Sequence, residues 1–175
     1  ASHGPITITQ VTAISAFNSD LVLNHMILEK NYADPVACRY GYLSISNSSL
    51  HSEVVGNLIN VVNGFAKIVN CEMTGNKCPD TDAVDFDNVF DGIIRNCRIK
   101  NFKGSNSDGL DLGQSLNTTI DSVTIFNITD KGISVGLQTK VNVGNCLFVN
   151  CNLGLGLKDS SSANINHCTF YGVGT

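Results

Sequence analysis

A short pattern recurs along the whole chain at intervals of 22–26 residues. Its clearest copy is Ile94–Ile99, in which an aliphatic residue precedes Arg-Asn-Cys and a second aliphatic residue follows two positions later. Aligned on the cysteine of this copy, the repeats fall at His25, Ser48, Cys71, Cys97, Ser122, Cys146 and Cys168. A period of 20–50 residues is typical of stacked supersecondary units, so the repeat predicts a solenoid.

Each repeat has room for two or three strands of three to five residues and for no helix. The Leu-x-x-Leu-x-Leu lattice of leucine-rich repeats is absent from the sequence. We therefore predict an all-β fold, a single-stranded parallel β-helix of about seven coils, with 22–26 residues per coil. We expect one domain over residues 1–175, in which residues 1–20 form an incomplete first coil or cap and the C-terminal end looks truncated.

The repeat also predicts which side chains form columns along the solenoid. Asparagine tolerates left-handed backbone, so we expect a sharp bend and an amide ladder at Asn47, Asn70, Asn96 and Asn145. The next residue should point inward, which gives an interior column of Ser48, Cys71, Cys97, Ser122, Cys146 and Cys168. Packing as small buried residues accounts for most of the cysteines. We do not expect a zinc site, since the Cys-x-x-Cys pairs of such a site are missing. A disulfide between Cys71 and Cys78 stays an open alternative.

Charge and hydropathy exclude several classes of partner. Only 15% of the residues are charged, and the net charge is −4. The 11 Lys and Arg residues are never clustered, which argues against nucleic-acid binding. No apolar stretch approaches the roughly 18 residues of a membrane span.

Uncapped solenoid ends would expose backbone groups and apolar surface, so we expect a homo-oligomer formed through these ends.

Acidic residues recur in a second register of the repeat. The segments 81–87 and 107–113 align, and strand alternation directs Asp85, Asp87 and Asp111 outward between core residues. Stacking then sets Asp85 beside Asp111 and Asp82 beside Asp108, with Lys131 in line on the next coil. Carboxylates that share a site raise one another's pKa, and a bound cation relieves the repulsion. Hard oxygen ligands suit Ca²⁺, so the sequence predicts a calcium site. The predicted ligands are Asp82, Asp85, Asp87, Asp108 and Asp111. The alternative is a solvated acidic ridge.

The repeat with its Asn-Cys bends resembles right-handed parallel β-helix proteins of the pectate-lyase-like superfamily. Asp82-Ala-Val-Asp85 and Asp108-Gly-Leu-Asp111 further resemble the Asp-Gly-aromatic-Asp segments of Ca²⁺-dependent polysaccharide lyase family 9. Two departures are Ser107, where that family doubles the aspartate, and Leu110 in place of the aromatic residue.

The resemblance implies a secreted or cell-surface protein that cleaves a uronate-containing, acidic polysaccharide by β-elimination. It assigns the catalytic base to Lys131, and we add Lys158 and Arg95 as residues that could bind substrate carboxylates.

Several alternatives stay open. Lys131 could instead form an ion pair with Asp108, and two carboxylates could support glycoside hydrolysis. A non-catalytic carbohydrate-binding or structural module of a surface or fibre protein is the alternative to an enzyme.

Overall fold

The computed structural model describes residues 12–31 and 34–174. Over these ranges the chain consists of strands, turns and bends without any helix, and therefore without a helix that could cross a membrane. Residues 1–11, which belong to the predicted first coil or cap, lie outside the described residues. The all-β prediction is confirmed.

Seventeen strands follow one another in the described chain. In order they are β1 (Ile14–Phe17), β2 (Leu21–Asn24), β3 (Ile27–Asn31), β4 (Val36–Arg39), β5 (Tyr42–Ser46), β6 (Ser49–Ser52), β7 (Ile59–Val69), β8 (Glu72–Thr74), β9 (Val84–Arg95), β10 (Arg98–Lys100), β11 (Leu110–Gly113), β12 (Thr118–Asp121), β13 (Thr124–Gly136), β14 (Lys140–Gly144), β15 (Leu147–Leu157), β16 (Ser162–Asn166) and β17 (Thr169–Tyr171). Four of them, β7, β9, β13 and β15, are long because they run around a corner of the solenoid and pair on two faces.

All pairings are parallel, and they build three sheets along one axis. Sheet 1 stacks β1, β4, β7, β9, β11, β13 and β15. Sheet 2 stacks β2, β5, β7, β9, β12, β14 and β16. Sheet 3 stacks β3, β6, β8, β10, β13, β15 and β17. Each sheet has seven strands, so the chain makes seven coils, as predicted.

The core lies inside the solenoid and consists of stacked aliphatic columns. On sheet 1, Val84, Leu110 and Ile133 are in register and fully buried. Alternation along each strand turns the intervening residues outward. This alternation is what places polar side chains of sheet 1 on the outer surface.

The bends between sheets 2 and 3 correct one part of the predicted column. Asn47, Asn70, Asn96 and Asn145 have positive φ as expected, and the Asn70 amide donates to Asn47 Oδ1 at 3.1 Å. Ser122 also has positive φ (56°) and is exposed, whereas Val123 points inward and is 1% exposed. The prediction that Ser122 belongs to the interior column is therefore wrong by one residue. The pairing of Asp121 with Arg95, rather than with Asn96, explains the shift.

All seven cysteines are free thiols. Cys71 is buried in the interior column, while the thiol of Cys78 lies 3.7 Å from the carbonyl oxygen of Glu53. The structure thus contains no Cys71–Cys78 disulfide.

Replacing Cys97 with Ser should change the free energy of unfolding by less than about 1.5 kcal/mol, because the swap nearly conserves volume. The Cys97 thiol donates to the carbonyl oxygen of Arg95 at 3.2 Å, and Ser48 makes the equivalent bond to Ser46 at 2.7 Å. Urea unfolding of Cys97→Ser, beside the cavity-forming control Ile99→Ala, measures the difference. A loss as large as that of the control would contradict the equivalence of the column positions.

Candidate functional site

A ladder of side-chain hydrogen bonds runs along the corner that precedes sheet 1. Asp34 Oδ1 accepts the backbone N–H of Asn57 at 2.8 Å, and Asn57 Oδ1 accepts that of Asp82 at 3.0 Å. Asp82 accepts the N–H of Asp108 at 2.6 Å, and Asp108 accepts the N–H of Lys131 at 2.7 Å. We call these five residues the corner ladder. It stacks Asp82 on Asp108, as the alignment predicted, and gives both carboxylates a structural role.

A second polar column faces outward from sheet 1. Asn60 pairs with Asp85, and Asp85 pairs with Asp111, on three consecutive coils. Neighbouring strands are about 4.8 Å apart, so these side chains share one patch of the surface. Asp87 lies two residues beyond Asp85 on the same outer face and is exposed. The five aspartates predicted as ligands therefore lie on two adjacent coils, and we call them the carboxylate site: Asp82, Asp85, Asp87, Asp108 and Asp111.

Burial raises the pKa of four carboxyl groups of the carboxylate site, those of Asp82, Asp85, Asp87 and Asp108. Burial raises the pKa of Asp82 to about 8, and the neighbouring Asp108 and Asp111 charges add to the rise. Burial, followed by the charges of Asp87 and Asp111, raises the pKa of Asp85 to about 7. Burial also raises the pKa of Asp108 to about 6 and raises that of Asp87. Burial, reinforced by the like charges nearby, therefore favours the neutral carboxyl groups of Asp82 and Asp85 until a cation compensates their charge.

Lys131 is held by two carboxylates. Its Nζ donates to Asp130 Oδ2 at 2.5 Å and lies 3.6 Å from Asp108 Oδ1. Partial burial lowers the pKa of Lys131, but the ion pairs with Asp130 and Asp108 outweigh this effect and raise it overall. The ammonium form is therefore favoured. The ion pair with Asp108, weighed above as an alternative to catalysis, is present, and Asp130 is a partner that the sequence analysis did not include.

Asn60 is a polar residue of this surface that the sequence analysis missed. Its Nδ2 donates to Asp85 Oδ2 at 3.0 Å, while its Oδ1 is buried and has no hydrogen-bond partner among the described residues. The side chain is only 9% exposed. The sequence does contain a pattern that predicts the position of Asn60. The segment Asn57-Leu-Ile-Asn60 has the same spacing as Asp82-Ala-Val-Asp85 and lies one coil earlier.

Lys158 lies at a small hollow of about 170 Å³ beside the carboxylate site. Asp87 and Asp111 line the same hollow, and its floor contains Gly113 and Gly136. A Cβ atom on Gly136 would be 2.6 Å from Lys158 Cε, so the glycine is what admits the lysine side chain. The structure thus places Lys158 next to two of the predicted ligands.

Leu137 lines this hollow and has a strained backbone conformation. Its φ is 54°, in the left-handed region, and it is 50% exposed. Bulky residues rarely adopt this conformation, and other coils place Asn or Gln here, as at Asn88 and Gln114.

Arg95 is not brought to the site. It belongs to the part of β9 that pairs in sheet 2, where its Nε forms an ion pair with Asp121 Oδ2 at 3.2 Å. That Arg95 binds substrate carboxylates stays a prediction, and a corner of the solenoid separates it from Lys131 and Lys158.

The oxygen atoms of the site fit a hard cation only in part. In the described ranges, no group of three or more His, Cys, Asp or Glu side chains is arranged to hold a metal ion. Asp82 and Asp108 each use one oxygen for the corner ladder. Asp85 Oδ2 likewise accepts the side-chain amides of Asn57 and Asn60, at 2.9 and 3.0 Å. The donors that remain are Asp85 Oδ1, the carboxylate of Asp111 and the amide oxygen of Asn60, which has no partner among the described residues. Carboxylate and amide oxygens completed by water are a donor set that Ca²⁺ accepts.

Comparison with known proteins identifies the family of the fold. The model of a family described as "Right handed beta helix region" matches residues 36–175. Searches of the curated proteins and of the solved structures gave no match. The family description specifies the architecture and its handedness and leaves ligand and reaction open. Because the match covers well over half of the sequence, the chain belongs to the right-handed β-helix family.

Proposed function

We propose that this protein binds acidic polysaccharide on sheet 1 through Ca²⁺ held at Asn60, Asp85 and Asp111. The observation that carries the proposal is the outward column of these three side chains, in which one buried oxygen has no partner. When bound, the cation would supply a positive charge for the carboxylate groups of the sugar. The side chains of the protein would hold the cation and orient the polymer along the axis.

The surface next to this column suits an extended ligand. In the outward columns of sheet 1, Gly113 and then Gly136 follow Asp87, and Ser134 follows Asp111, so no large side chain projects from these positions. Lys158 and Leu137 rise at one edge of it. A sugar ring could therefore lie flat on the sheet, with its carboxylate within reach of the Lys158 ammonium.

Binding is tested with polygalacturonate in the presence and absence of Ca²⁺ by calorimetry. We expect binding that needs Ca²⁺ and is lost in the double variant Asp85→Asn/Asp111→Asn. The double variant Asp20→Asn/Asp91→Asn removes two charges from exposed positions outside the site and is the matched control. Equal binding with Ca²⁺ and with chelator would contradict the proposal.

A second candidate, β-elimination, is favoured by the position of Lys131 one coil beyond Asp108. In this reaction Lys131 Nζ would take the proton from C5 of a uronate, and a C4=C5 double bond would form as the C4–O bond breaks. The departing oxygen would keep the electron pair of that bond and take a proton from water, which gives the hydroxyl group of the released sugar. Nζ must be neutral to accept the proton. Because Asp130 and Asp108 favour the ammonium form, we propose that elimination requires alkaline pH.

The ultraviolet absorbance of unsaturated products measures this activity on pectate and alginate with Ca²⁺. We expect activity to rise toward alkaline pH and to vanish in Lys131→Gln. Asp130→Asn removes one ion pair of Lys131, so the rise should move to lower pH. A flat trace on both substrates at every pH would leave the binding function alone.

A further inference from the structure

A second concave surface lies around the corner from the carboxylate site, after the strands of sheet 3. It has a volume of about 500 Å³. We call it the lysine groove, and its residues are Lys77, Lys103, Asn127, Ile128, Thr129, Asn150 and Asn152. It contains none of the side chains assigned above to calcium or to catalysis.

The lysines of the groove are stacked by the backbone of successive coils. The N–H of Lys103 donates to the carbonyl oxygen of Asn76 at 2.7 Å, and the N–H of Thr129 donates to that of Phe102 at 2.9 Å. Lys77, Lys103 and Thr129 therefore follow one another along the axis at about the 4.8 Å coil spacing. Both lysines are exposed, so their ammonium groups are accessible to a ligand.

Within the described part of the chain, no acidic side chain pairs with these two lysines. Among the described residues, neither Lys77 nor Lys103 forms an ion pair, whereas Lys100 pairs with Glu72 and Lys131 with Asp130. Like charges at ladder spacing repel each other. In a chain of net charge −4, two stacked and unpaired cations in a concave surface form a site that an anion would stabilise.

The other groove residues fit a sugar. Ile128 borders the groove but is 2% exposed and belongs to the core, so the polar groups around it supply the contacts to a ligand. Thr129 and Asn152 are exposed and offer a hydroxyl and an amide to sugar hydroxyl groups. The amides of Asn127 and Asn150 are joined by a hydrogen bond of 3.4 Å, so they form an ordered wall.

We propose that the lysine groove is a calcium-independent binding site for an anionic saccharide, with Lys77 and Lys103 holding its carboxylate or sulfate group. This site goes beyond the proposed function, because it uses neither Ca²⁺ nor the carboxylate site. Thr129 directly precedes Asp130 and Lys131, so the two sites lie on either side of one corner. A branched or folded polysaccharide could occupy both.

Ligand-observed NMR and calorimetry in excess chelator test the groove. The probes are trigalacturonate for the carboxylate, galactose 6-sulfate for the sulfate, and maltotriose as the neutral control. We expect at least one anionic probe to bind at millimolar concentration or below and maltotriose not to bind. The double variant Lys77→Gln/Lys103→Gln should weaken this binding by about tenfold or more, since charge-assisted hydrogen bonds are lost.

Two control variants separate this inference from the proposed function. Lys67→Gln/Lys140→Gln removes the same charge from exposed lysines outside the groove and should change affinity by less than about twofold. Asp85→Asn/Asp111→Asn abolishes the proposed calcium site and should leave binding in chelator intact. Absence of binding by both anionic probes, equal binding of maltotriose, or equal affinity in the Lys77/Lys103 variant would overturn the inference.

Discussion

Ca²⁺ should raise the melting temperature of this protein, and the rise should be larger at pH 8 than at pH 6. A ligand that binds only the native state stabilises it by about 2.7 kcal/mol at a hundredfold excess over its Kd. At pH 6 the cation must displace a proton from Asp85, because the pKa of this carboxyl group is about 7. At pH 8 Asp85 is already ionised, so the release of a proton no longer offsets the free energy of Ca²⁺ binding. Calorimetric melting in chelator and in Ca²⁺ at the two pH values measures the difference.

Three variants locate the effect. Asp111→Asn should remove most of the response to Ca²⁺ and, in chelator, stabilise the protein slightly by relieving repulsion with Asp85. Asn60→Ala should also weaken the response, although it removes no charge, because it deletes the unpartnered amide oxygen. Asp91→Asn should respond like the wild type. A wild-type melting temperature indifferent to Ca²⁺ would remove the calcium site and leave the solvated acidic ridge.

In chelator, the protein should lose stability as the pH rises from about 4 to about 8. The carboxyl groups of Asp108, Asp85 and Asp82 have folded pKa values of about 6, 7 and 8, above the ordinary value of 3.8. In this window the native state binds more protons than the unfolded chain, so the free energy of unfolding falls with pH. For Asp108, which is 5% exposed, the rise from 3.8 to about 6 corresponds to about 3 kcal/mol lost between pH 4 and pH 6.

Asp108→Asn tests this prediction with little change in shape. The amide oxygen of Asn can still accept the N–H of Lys131 in the corner ladder, but the group no longer titrates. Urea unfolding of the variant in chelator should therefore show a shallower decline between pH 4 and pH 6. Asp91→Asn should keep the slope of the wild type. A slope unchanged in Asp108→Asn would mean that this carboxyl group does not carry the pH dependence.

The architecture could be predicted because one signal, the repeat, fixes both the number of coils and the register between them. Alternation around Leu110 and Leu112 then sufficed to place Asp111 outward and opposite Asp85, which the strand register confirms. The register is harder to predict where one copy of the repeat departs from the common pattern. Ser122 occupies a bend that Asn occupies in other coils, and without the asparagine the copy was aligned one residue off.

The chemistry of the site was harder to predict, because it depends on distances across coils and around corners. Asn60 was missed since its copy of the repeat carries amides in place of carboxylates. Arg95 follows Asp85 on the same strand, but β9 turns a corner between them and pairs in two sheets. Asp130 is adjacent to Lys131 in sequence, yet only the structure shows that their side chains meet.

The corner ladder bears on how a chain of this kind can change its length. Four side chains of the ladder, those of Asp34, Asn57, Asp82 and Asp108, each accept a backbone N–H of the following coil. Every residue except proline supplies this donor, so the hydrogen bond places little constraint on the identity of the next residue. A whole coil could therefore be duplicated or deleted by recombination, and the residues on either side of the junction would still be compatible. Such a duplication would produce two stacked coils that both carry aspartates. Later substitutions at single positions could then change each copy separately.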